Sequence, residues 1–440
     1  MVYITVISVA LLIAAVSRKI FGAWFNHVSL YTAIWCGAMV LFEVRMINYP
    51  VLSYETWTVI VACWLLFVLG AVTVAFARWT AGREADRPNA EEPPRSFEGE
   101  MKSVKTALWI LNILTFAAAV HDLYIVSRLF GGLGKAFVLG NLLYSYRISE
   151  GLPGSIPYVS SLVFTAALLA GSYTKRLGRL TIAAILPAVI IIMIDFANMG
   201  RVDILIVSIL FASAYFLTQK RQAEREKQDG RRFRKIAMVI VLAAILIGGA
   251  DFIRSTRGSN EGLRGSSGTL KKLNMASVIT PSVYLYLSSD YAVLNQYLHY
   301  DWESTPWGGH TFLPVYRILE RLGLDVHAST FQKYYRTPVW TNTGTYLREL
   351  HGDFGIAGLL LGPYLLGLLA SIFWFRVKAR RSYVDLAVAG FLFGIIGMSF
   401  FVMPTRISPY FFFFGVSIIV GAVLDRKVNR TSFDIHGHAR

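Results

Sequence analysis

The sequence predicts an all-α polytopic membrane protein with about 11 transmembrane helices. Of its 440 residues, 55% are hydrophobic and only 16% are charged, and the mean hydropathy is +0.51. A soluble domain carries about 25% charged residues. Apolar runs recur along the whole chain, each close to the length that a helix needs to cross a bilayer. These observations exclude a soluble enzyme and a disordered chain.

The predicted spans are the apolar runs that lie between charged segments. The first has no basic residue before it and is followed by Arg18 and Lys19, which predicts a retained span rather than a cleaved signal. We divide the chain into transmembrane helices 1–8 (1–253, with inner loops 78–105 and 219–235), a large outer loop (254–354), and helices 9–11 with the tail (355–440). The spans are 2–17, 28–42, 57–77, 106–126, 156–174, 180–196, 202–218, 236–253, 355–375, 384–403 and 408–424.

The distribution of basic residues predicts the sidedness of these spans. With the charged segment 78–105 placed in the cytoplasm, the inner segments hold 27 Lys and Arg residues and the short outer loops hold 6. Cytoplasmic loops carry an excess of basic residues, and long translocated loops do not count toward this rule. The N-terminus is therefore predicted to lie outside and the C-terminus inside. The net charge of +16 reflects this topology in large part, so nucleic acid is not needed as a partner.

Cysteine and histidine patterns give no prediction of a metal or other cofactor. Cys36 and Cys63 both lie within apolar runs, so a disulfide framework or a thiolate site is not expected. The eight histidines are scattered and form no HExxH motif. His310, in Gly-Gly-His, is either a base or a turn residue, and we favour the turn.

The outer loop 254–354 is far longer than a connection requires. It opens with a Gly/Ser-rich stretch and continues as a half-apolar, aromatic segment that predicts short helices. Trp302, Trp307 and Trp340 suit either an interfacial aromatic belt or a cleft that stacks sugars.

Basic residues on the outer side are mostly arginine, whose planar guanidinium binds phosphate oxygens in a bidentate manner. Arg201, Arg254, Arg257 and Arg406 lie near predicted span ends, where they either reach lipid headgroups or converge on a bound anion. Asp195 and Asp203 flank the short Asn-Met-Gly-Arg turn that ends at Arg201. This pattern indicates either a local Arg–Asp pair that stabilises the hairpin or an arginine held in place for function.

The segment that begins at Thr341 concentrates acidic, basic and cationic groups where the outer loop re-enters the membrane. In a helix its polar residues would share one face, with Arg348 and His351 on a neighbouring face. Gly358 and Gly362 form a GxxxG motif that allows close helix packing. The residues predicted on the first face are Asn342, Tyr346, Glu349 and Asp353.

Three features together resemble the Wzy-type oligosaccharide repeat-unit polymerases (O-antigen polymerases) of bacterial inner membranes. They are the Asn-Met-Gly-Arg hairpin before an apolar span, the single large outer loop late in the chain, and the segment NTGTYLRELHGDFGIAGLLLGPYLLG from Asn342. The family's version of this segment has an Asn, a Thr-rich turn, an Arg, and Asp-Phe-Gly before a Gly-containing span.

The resemblance implies a GT-C-like bundle and a metal-independent glycosyltransferase. Its substrates would be undecaprenyl-pyrophosphate-linked oligosaccharides at the periplasmic face, with a flippase and a chain-length regulator as further partners. Arginines would stabilise the leaving pyrophosphate, Asp353, Glu349 or His351 would act as the general base, and Tyr346 and Asn342 would position sugar. The arginines expected around the pyrophosphate are Arg201, Arg254, Arg257, Arg348 and Arg406.

Two other functions are compatible with the same topology. An O-antigen ligase-like transferase shares the donor but uses lipid A–core as its acceptor, and the Asp-Phe-Gly segment favours the polymerase. A transporter of lipid-linked oligosaccharide predicts polar groups spread through the span interiors, whereas here polarity gathers at one face. A purely structural assembly protein does not explain the arginine-rich outer loop.

Overall fold

The computed structural model describes residues 2–81, 97–149, 154, 157–200, 202–219, 281–300, 305–329, 332–337 and 340–437. Within this part of the chain the protein is α-helical apart from one short antiparallel hairpin, in which Tyr335 pairs with Thr341. The elements are α1 (Val2–Phe21), α2 (His27–Glu43), α3 (Tyr54–Thr80), α4 (Phe97–Phe130), α5 (Leu133–Val138), α6 (Gly140–Ser149), α7 (Pro157–Ser160), α8 (Leu162–Leu177), α9 (Ile182–Asn198), α10 (Val202–Leu217), α11 (Pro281–Ser288), α12 (Asp290–Tyr300), α13 (Leu313–Arg321), β1 (Tyr335–Arg336), β2 (Trp340–Thr341), α14 (Tyr346–Arg380), α15 (Tyr383–Met398), a 3-10 turn (Pro404–Arg406) and α16 (Ser408–Gly437).

Five helices in the described ranges are long and apolar enough to cross a membrane. Many of their exposed side chains are large and apolar, for example Leu65 on α3 and Ile113 on α4, as expected for helix surfaces that face lipid. Shorter apolar helices accompany them. The protein is therefore an all-α, multi-pass membrane protein. The five segments are Tyr3–Phe21, Tyr54–Thr80, Phe97–Phe130, Tyr346–Arg380 and Ser408–Val428.

Helices occupy every predicted span that falls within the described residues, and the span predicted at 236–253 lies outside them. Several boundaries differ from the prediction, among them the start of α14 at Tyr346, inside the predicted outer loop, and the end of α16 at Gly437, past residue 424. α4 begins at Phe97, inside the predicted inner loop, because Glu98 and Glu100 favour a helix N-terminus. The predicted span 156–174 is divided at Ser161 into α7 and α8, and the span 384–403 is helical only to Met398.

One compact unit comprises Met1–Ala85, Asn260–Trp374 and Ile395–Phe411. Its helices α3 and α14 approach closely through glycines. A Cβ atom added at Gly70 would collide with the main-chain oxygen of Tyr364, and one added at Gly367 would collide with that of Phe67. Both glycines are therefore required for this packing.

The centre of this unit is aromatic and hydrogen-bonded. The rings of Tyr31 and Phe67 stack with centroids 4.0 Å apart, and the Tyr31 hydroxyl lies 2.9 Å from the Tyr346 hydroxyl. Trp35 donates its indole N–H to Ser399 Oγ at 2.9 Å, and its main-chain oxygen accepts from the Tyr291 hydroxyl at 2.8 Å. Buried hydroxyl and indole groups are thus satisfied, which fixes α2, α12 and α14 together.

The second compact unit comprises Asp86–Ser259, Phe375–Gly394 and Phe412–Arg440. α8 and α10 pack at Gly171, where a Cβ atom would collide with the main-chain oxygen of Phe211. The Asn112 side chain on α4 donates to the Ala183 carbonyl on α9 at 2.8 Å. A close glycine contact and an interhelical hydrogen bond are the usual ways in which membrane helices associate.

Four segments that the sequence places on the same side of the membrane meet in this second unit. Arg176 forms an ion pair with Glu100, and the Tyr383 hydroxyl donates to Glu100 at 3.1 Å. Asp425 accepts from the Tyr383 main-chain N–H at 3.0 Å and so caps the start of α15. These contacts join the predicted inner segments 78–105, 175–179 and 376–383 to the tail from 425.

Candidate functional site

The polar cluster of the first unit is organised by a sharp break in α14. Gly355, in Asp-Phe-Gly, has φ 61° and ψ −147°, which separates a short first segment of α14 from the long apolar segment that follows. The first segment folds against the second, because added Cβ atoms at Gly358 and Gly362 would both collide with Leu350. The GxxxG motif therefore allows close packing, as predicted, and its partner lies in the same helix.

The position of Asn342 corrects one expectation from the sequence. α14 begins at Tyr346, so Asn342 precedes the helix and does not share a helical face with Glu349 and Asp353. Asn342 directly follows the strand β2, and Gly344 lies in the short connection between Asn342 and the start of α14. Asn342 instead contributes its main-chain oxygen, which accepts from Arg348 at 3.2 Å.

Glu349 and Arg406 form a buried ion pair in which Arg406 Nη1 lies 2.6 Å from Glu349 Oε1. The Glu349 side chain is fully buried, and that of Arg406 is 11% exposed. The Gln332 amide donates to the same carboxylate at 2.8 Å, and the Met403 main-chain N–H donates to its other oxygen. Several donors therefore compensate the cost of burying this charge.

Arg348 is enclosed by its own chain. Its guanidinium donates to the main-chain oxygen of Lys333 at 2.9 Å, and its Cζ lies 5.7 Å and 4.9 Å from the ring centroids of Tyr297 and Tyr335. The residue is 2% exposed. Cation–π contacts to both rings hold the guanidinium in one orientation, so Arg348 joins α12 and the β-hairpin to the start of α14.

His351 and Tyr346 are each fixed by a tyrosine. The His351 Nδ1 atom lies 2.8 Å from the Tyr297 hydroxyl, whose ring also faces Arg348. Tyr346 is 1% exposed, and its hydroxyl contacts that of Tyr31. Tyr297 therefore connects the imidazole to the guanidinium, a link that the spacing of Arg348 and His351 alone did not reveal.

Asp353 anchors the loop that precedes α13. Its carboxylate accepts from the Thr305 hydroxyl at 2.5 Å and from the main-chain N–H groups of His310 and Thr311 at 2.9 and 2.6 Å. His310 lies in a turn, as predicted. Because both carboxylate oxygens are occupied by these donors, the geometry favours an anchoring role for Asp353 over that of a proton acceptor.

The structure brings together six of the ten residues predicted from sequence, namely Tyr346, Arg348, Glu349, His351, Asp353 and Arg406, with the main chain of Asn342 beside them. Arg201, Arg254 and Arg257 lie outside the described residues. Trp307 and Trp340 are 75% and 65% exposed, whereas Trp302 lies outside the described ranges.

The first three residues of the predicted turn, Asn198, Met199 and Gly200, lie in the second unit. α9 ends at Asn198, Met199 has φ 48°, and the Asp195 carboxylate accepts from the Ile204 N–H at 3.0 Å across the turn. Arg147 donates to the main-chain oxygen of Asn198. Asp195 and Arg147 therefore stabilise this hairpin.

Sequence reasoning missed three side chains that complete the cluster in the first unit: Tyr297, Gln332 and Asp290. Tyr297 and Gln332 contact predicted residues directly. Asp290, at the first residue of α12, is 2% exposed. Each lies in a part of the outer loop that the sequence describes only as aromatic and half-apolar. Asp290 could have been singled out only as an acidic residue within an otherwise aromatic and apolar segment.

Comparison with protein-family models, curated proteins and solved structures finds no match for this chain. The class of protein therefore follows from its architecture. It is an α-helical multi-pass membrane protein with a buried arginine–carboxylate cluster at the start of α14.

Proposed function

We propose that this protein is a Wzy-type polymerase that joins undecaprenyl-pyrophosphate-linked oligosaccharide repeat units into surface polysaccharide. In this proposal it is a GT-C-like bundle of about 11 transmembrane helices in the bacterial inner membrane. Its N-terminus and its large loop are periplasmic, and its C-terminus is cytoplasmic. The observation that supports the proposal most is the buried cluster of Arg348, Glu349 and Arg406.

Charged groups buried in a membrane protein are costly and usually serve a function. Here Glu349 holds Arg406 in a fixed orientation, and two tyrosine rings hold Arg348. Arginines that are fixed before the substrate binds need little reorganisation when negative charge develops on the leaving group. This arrangement suits stabilisation of an anionic leaving group.

In the proposed reaction, a hydroxyl oxygen of the acceptor sugar attacks the anomeric carbon of the donor glycan. A new glycosidic C–O bond forms, and the bond from that carbon to the pyrophosphate oxygen breaks. The electron pair leaves with the lipid pyrophosphate, whose growing charge Arg348 and Arg406 would stabilise. A general base takes the hydroxyl proton.

The side chains close to the cluster divide the remaining roles. Tyr346 is enclosed against Tyr31, so we assign it to positioning α14. Asn342 is half-buried beside Arg348 and remains available to contact sugar. The exposed rings of Trp307 and Trp340 would stack on sugar rings of the glycan.

A deletion experiment tests this function in cells. Surface polysaccharide from a strain lacking the protein is separated on a gel and compared with that of the same strain carrying the wild-type chain. The proposal predicts single repeat units attached to the surface lipid in the deletion strain and a ladder of longer chains after complementation. A complete loss of attached units would instead indicate a ligase, and unchanged long chains would exclude both transferases.

A further inference from the structure

Asp290 is a buried carboxyl group that no contact within the described protein explains. Among the described residues, none donates a well-formed hydrogen bond to either of its oxygens, although the residue is only 2% exposed. The Thr343 side chain stabilises its charged form in part. Buried polar groups nearly always have a partner, and one that lacks a partner often has a catalytic role or binds a water molecule or ion.

Two hydroxyls close to this group in sequence also lack a hydrogen-bond partner. Within the described ranges, Ser289 Oγ, next to Asp290, and Thr345 Oγ1, two residues after Thr343, are buried and unpartnered. They belong to the two segments that meet here, 289–290 at the start of α12 and 343–345 before α14. The unsatisfied groups are one carboxyl and two hydroxyls, each of which can form a hydrogen bond with a hydroxyl group of a sugar.

Asp290 lies on the same helix as two residues that pack near or against the arginine cluster. Val293, one turn further along α12, packs against Gly344 together with Arg348. Tyr297, a further turn along, contacts both Arg348 and His351. Asp290, Val293 and Tyr297 therefore lie on one face of α12, and this face covers the segment that carries the proposed site.

The other acidic and basic groups of the cluster are already hydrogen-bonded. Asp353 accepts from three donors, Glu349 accepts from Gln332 and Arg406, and His351 Nδ1 contacts Tyr297. A general base needs an available lone pair within reach of the proton that it accepts. Asp290 meets this requirement best.

We infer that Asp290 is the general base of the proposed transferase, and that Ser289 and Thr345 bind the acceptor sugar beside it. This inference rests on the proposed function. The acceptor hydroxyl proton moves to the Asp290 carboxylate while its oxygen bonds to the donor's anomeric carbon and the lipid pyrophosphate departs. Burial raises the pKa of Asp290 well above its ordinary value, which makes its carboxylate a stronger base than that of an exposed aspartate.

The test uses the full-length protein in proteoliposomes, supplied with the lipid-linked oligosaccharide fraction extracted from a strain that lacks it. Asp290→Asn keeps the shape of the side chain and removes its basicity. We expect turnover to fall by about 100-fold or more, the usual contribution of a general base, with the KM for the lipid-linked oligosaccharide little changed. Ser289→Ala and Thr345→Val should instead raise that KM.

The matched control is Asp325→Asn, because Asp325 is 98% exposed and should have no effect on turnover. If the wild-type protein lengthens chains and Asp290→Asn retains turnover within about threefold, a difference of less than 1 kcal/mol in barrier, Asp290 is not the base and the proposed function stands. If the wild-type protein lengthens no chains, the proposed function fails and this inference fails with it.

Discussion

Arg406 Nη1 lies 2.6 Å from Glu349 Oε1 at the start of α14, and the Glu349 side chain is fully buried. Breaking a buried ion pair is costly, because the remaining charge keeps its desolvation penalty without its partner. We expect Glu349→Gln and Arg406→Gln each to lower the free energy of unfolding by about 3 kcal/mol. The double variant should lose much less free energy of unfolding than the sum of the losses in the two single variants.

Thermal unfolding in detergent checks this prediction, with the pair formed by Glu320 and His327 as its control. His327 Nδ1 lies 2.7 Å from Glu320 Oε1, but the His327 and Glu320 side chains are 80% and 38% exposed. Single substitutions there should leave the melting temperature nearly unchanged, because solvent screens an exposed pair. Strictly additive losses for Glu349 and Arg406 would show that the two side chains do not stabilise each other.

Asp353 should act as an anchor for the loop that precedes α13. In Asp353→Asn, one carboxylate oxygen becomes an NH₂ group that faces the N–H donors of His310 and Thr311. We expect a loss of about 1–3 kcal/mol, the usual cost of leaving a buried polar group unsatisfied. Limited proteolysis should cut the loop around Thr305–Thr311 faster than in the wild-type protein. Equal cleavage rates in Asp353→Asn and the exposed-site control Asp325→Asn would contradict the anchoring role.

Two glycine substitutions test the close packing that follows the kink at Gly355. Gly358→Ala would push a Cβ atom against the Leu350 carbonyl, so we expect it to destabilise the protein by about 1–3 kcal/mol, the usual cost of overpacking. Gly37→Ala on α2 is the matched control. A Cβ atom there meets nothing within 4 Å, and replacing a helical glycine with alanine stabilises by up to about 1 kcal/mol. Indistinguishable melting temperatures for the two variants would show that the packing is loose.

Asp290 should make the stability of the protein depend on pH. Because burial raises its pKa in the folded state, folding takes up a proton at pH values between the unfolded and the folded pKa. The free energy of unfolding should therefore fall as the pH rises from about 4, the unfolded value, through the folded pKa. The Asp290→Asn variant lacks this titrating carboxyl. Its free energy of unfolding relative to that of the wild type should therefore increase as the pH rises between the unfolded and the folded pKa of Asp290.

Unfolding measured between pH 4 and pH 8 checks this difference. Among the described residues, the phenols of Tyr49 and Tyr291 interact electrostatically with Asp290, and burial raises the pKa of both, so neither titrates in this interval. At pH 8, the free energy of unfolding of Asp290→Asn should exceed that of the wild-type protein by about 1–3 kcal/mol. A constant difference between the two proteins across the interval would mean that Asp290 does not take up a proton on folding.

Much of the helical architecture was predictable, because it depends on apolar runs and charged segments that the sequence displays directly. The contacts of Glu100 with Arg176 and Tyr383 agree with the predicted placement of three inner segments on one side. Boundaries were less predictable. The early start of α4 depends on acidic residues that also suit a polar loop. Just after α15 ends at Met398, the Ser399 main-chain oxygen accepts from the Tyr346 N–H at 2.9 Å, a contact between residues far apart in sequence.

Apart from Arg406, which its place near a predicted span end indicated, the candidate site was predictable only where its residues are close in sequence. Arg348, Glu349, His351 and Asp353 were identified because they share a short segment. The partners that define their roles, such as Tyr297 and Gln332, come from distant parts of the outer loop and no local periodicity points to them. Asn342 was misplaced because the polar spacing continues backward past the residue where the helix begins.

Turnover of Arg406 variants tests the central proposal most directly. Purified wild-type protein in proteoliposomes, without added metal, is supplied with lipid-linked oligosaccharide, and the products are resolved by length. We predict a ladder of longer chains for the wild type and a loss of about 100-fold or more for Arg406→Ala. Arg406→Lys should also be impaired, because lysine lacks the planar fork. Wild-type vesicles that move the substrate across the bilayer without lengthening it, or an Arg406→Ala variant with full activity, would contradict the account.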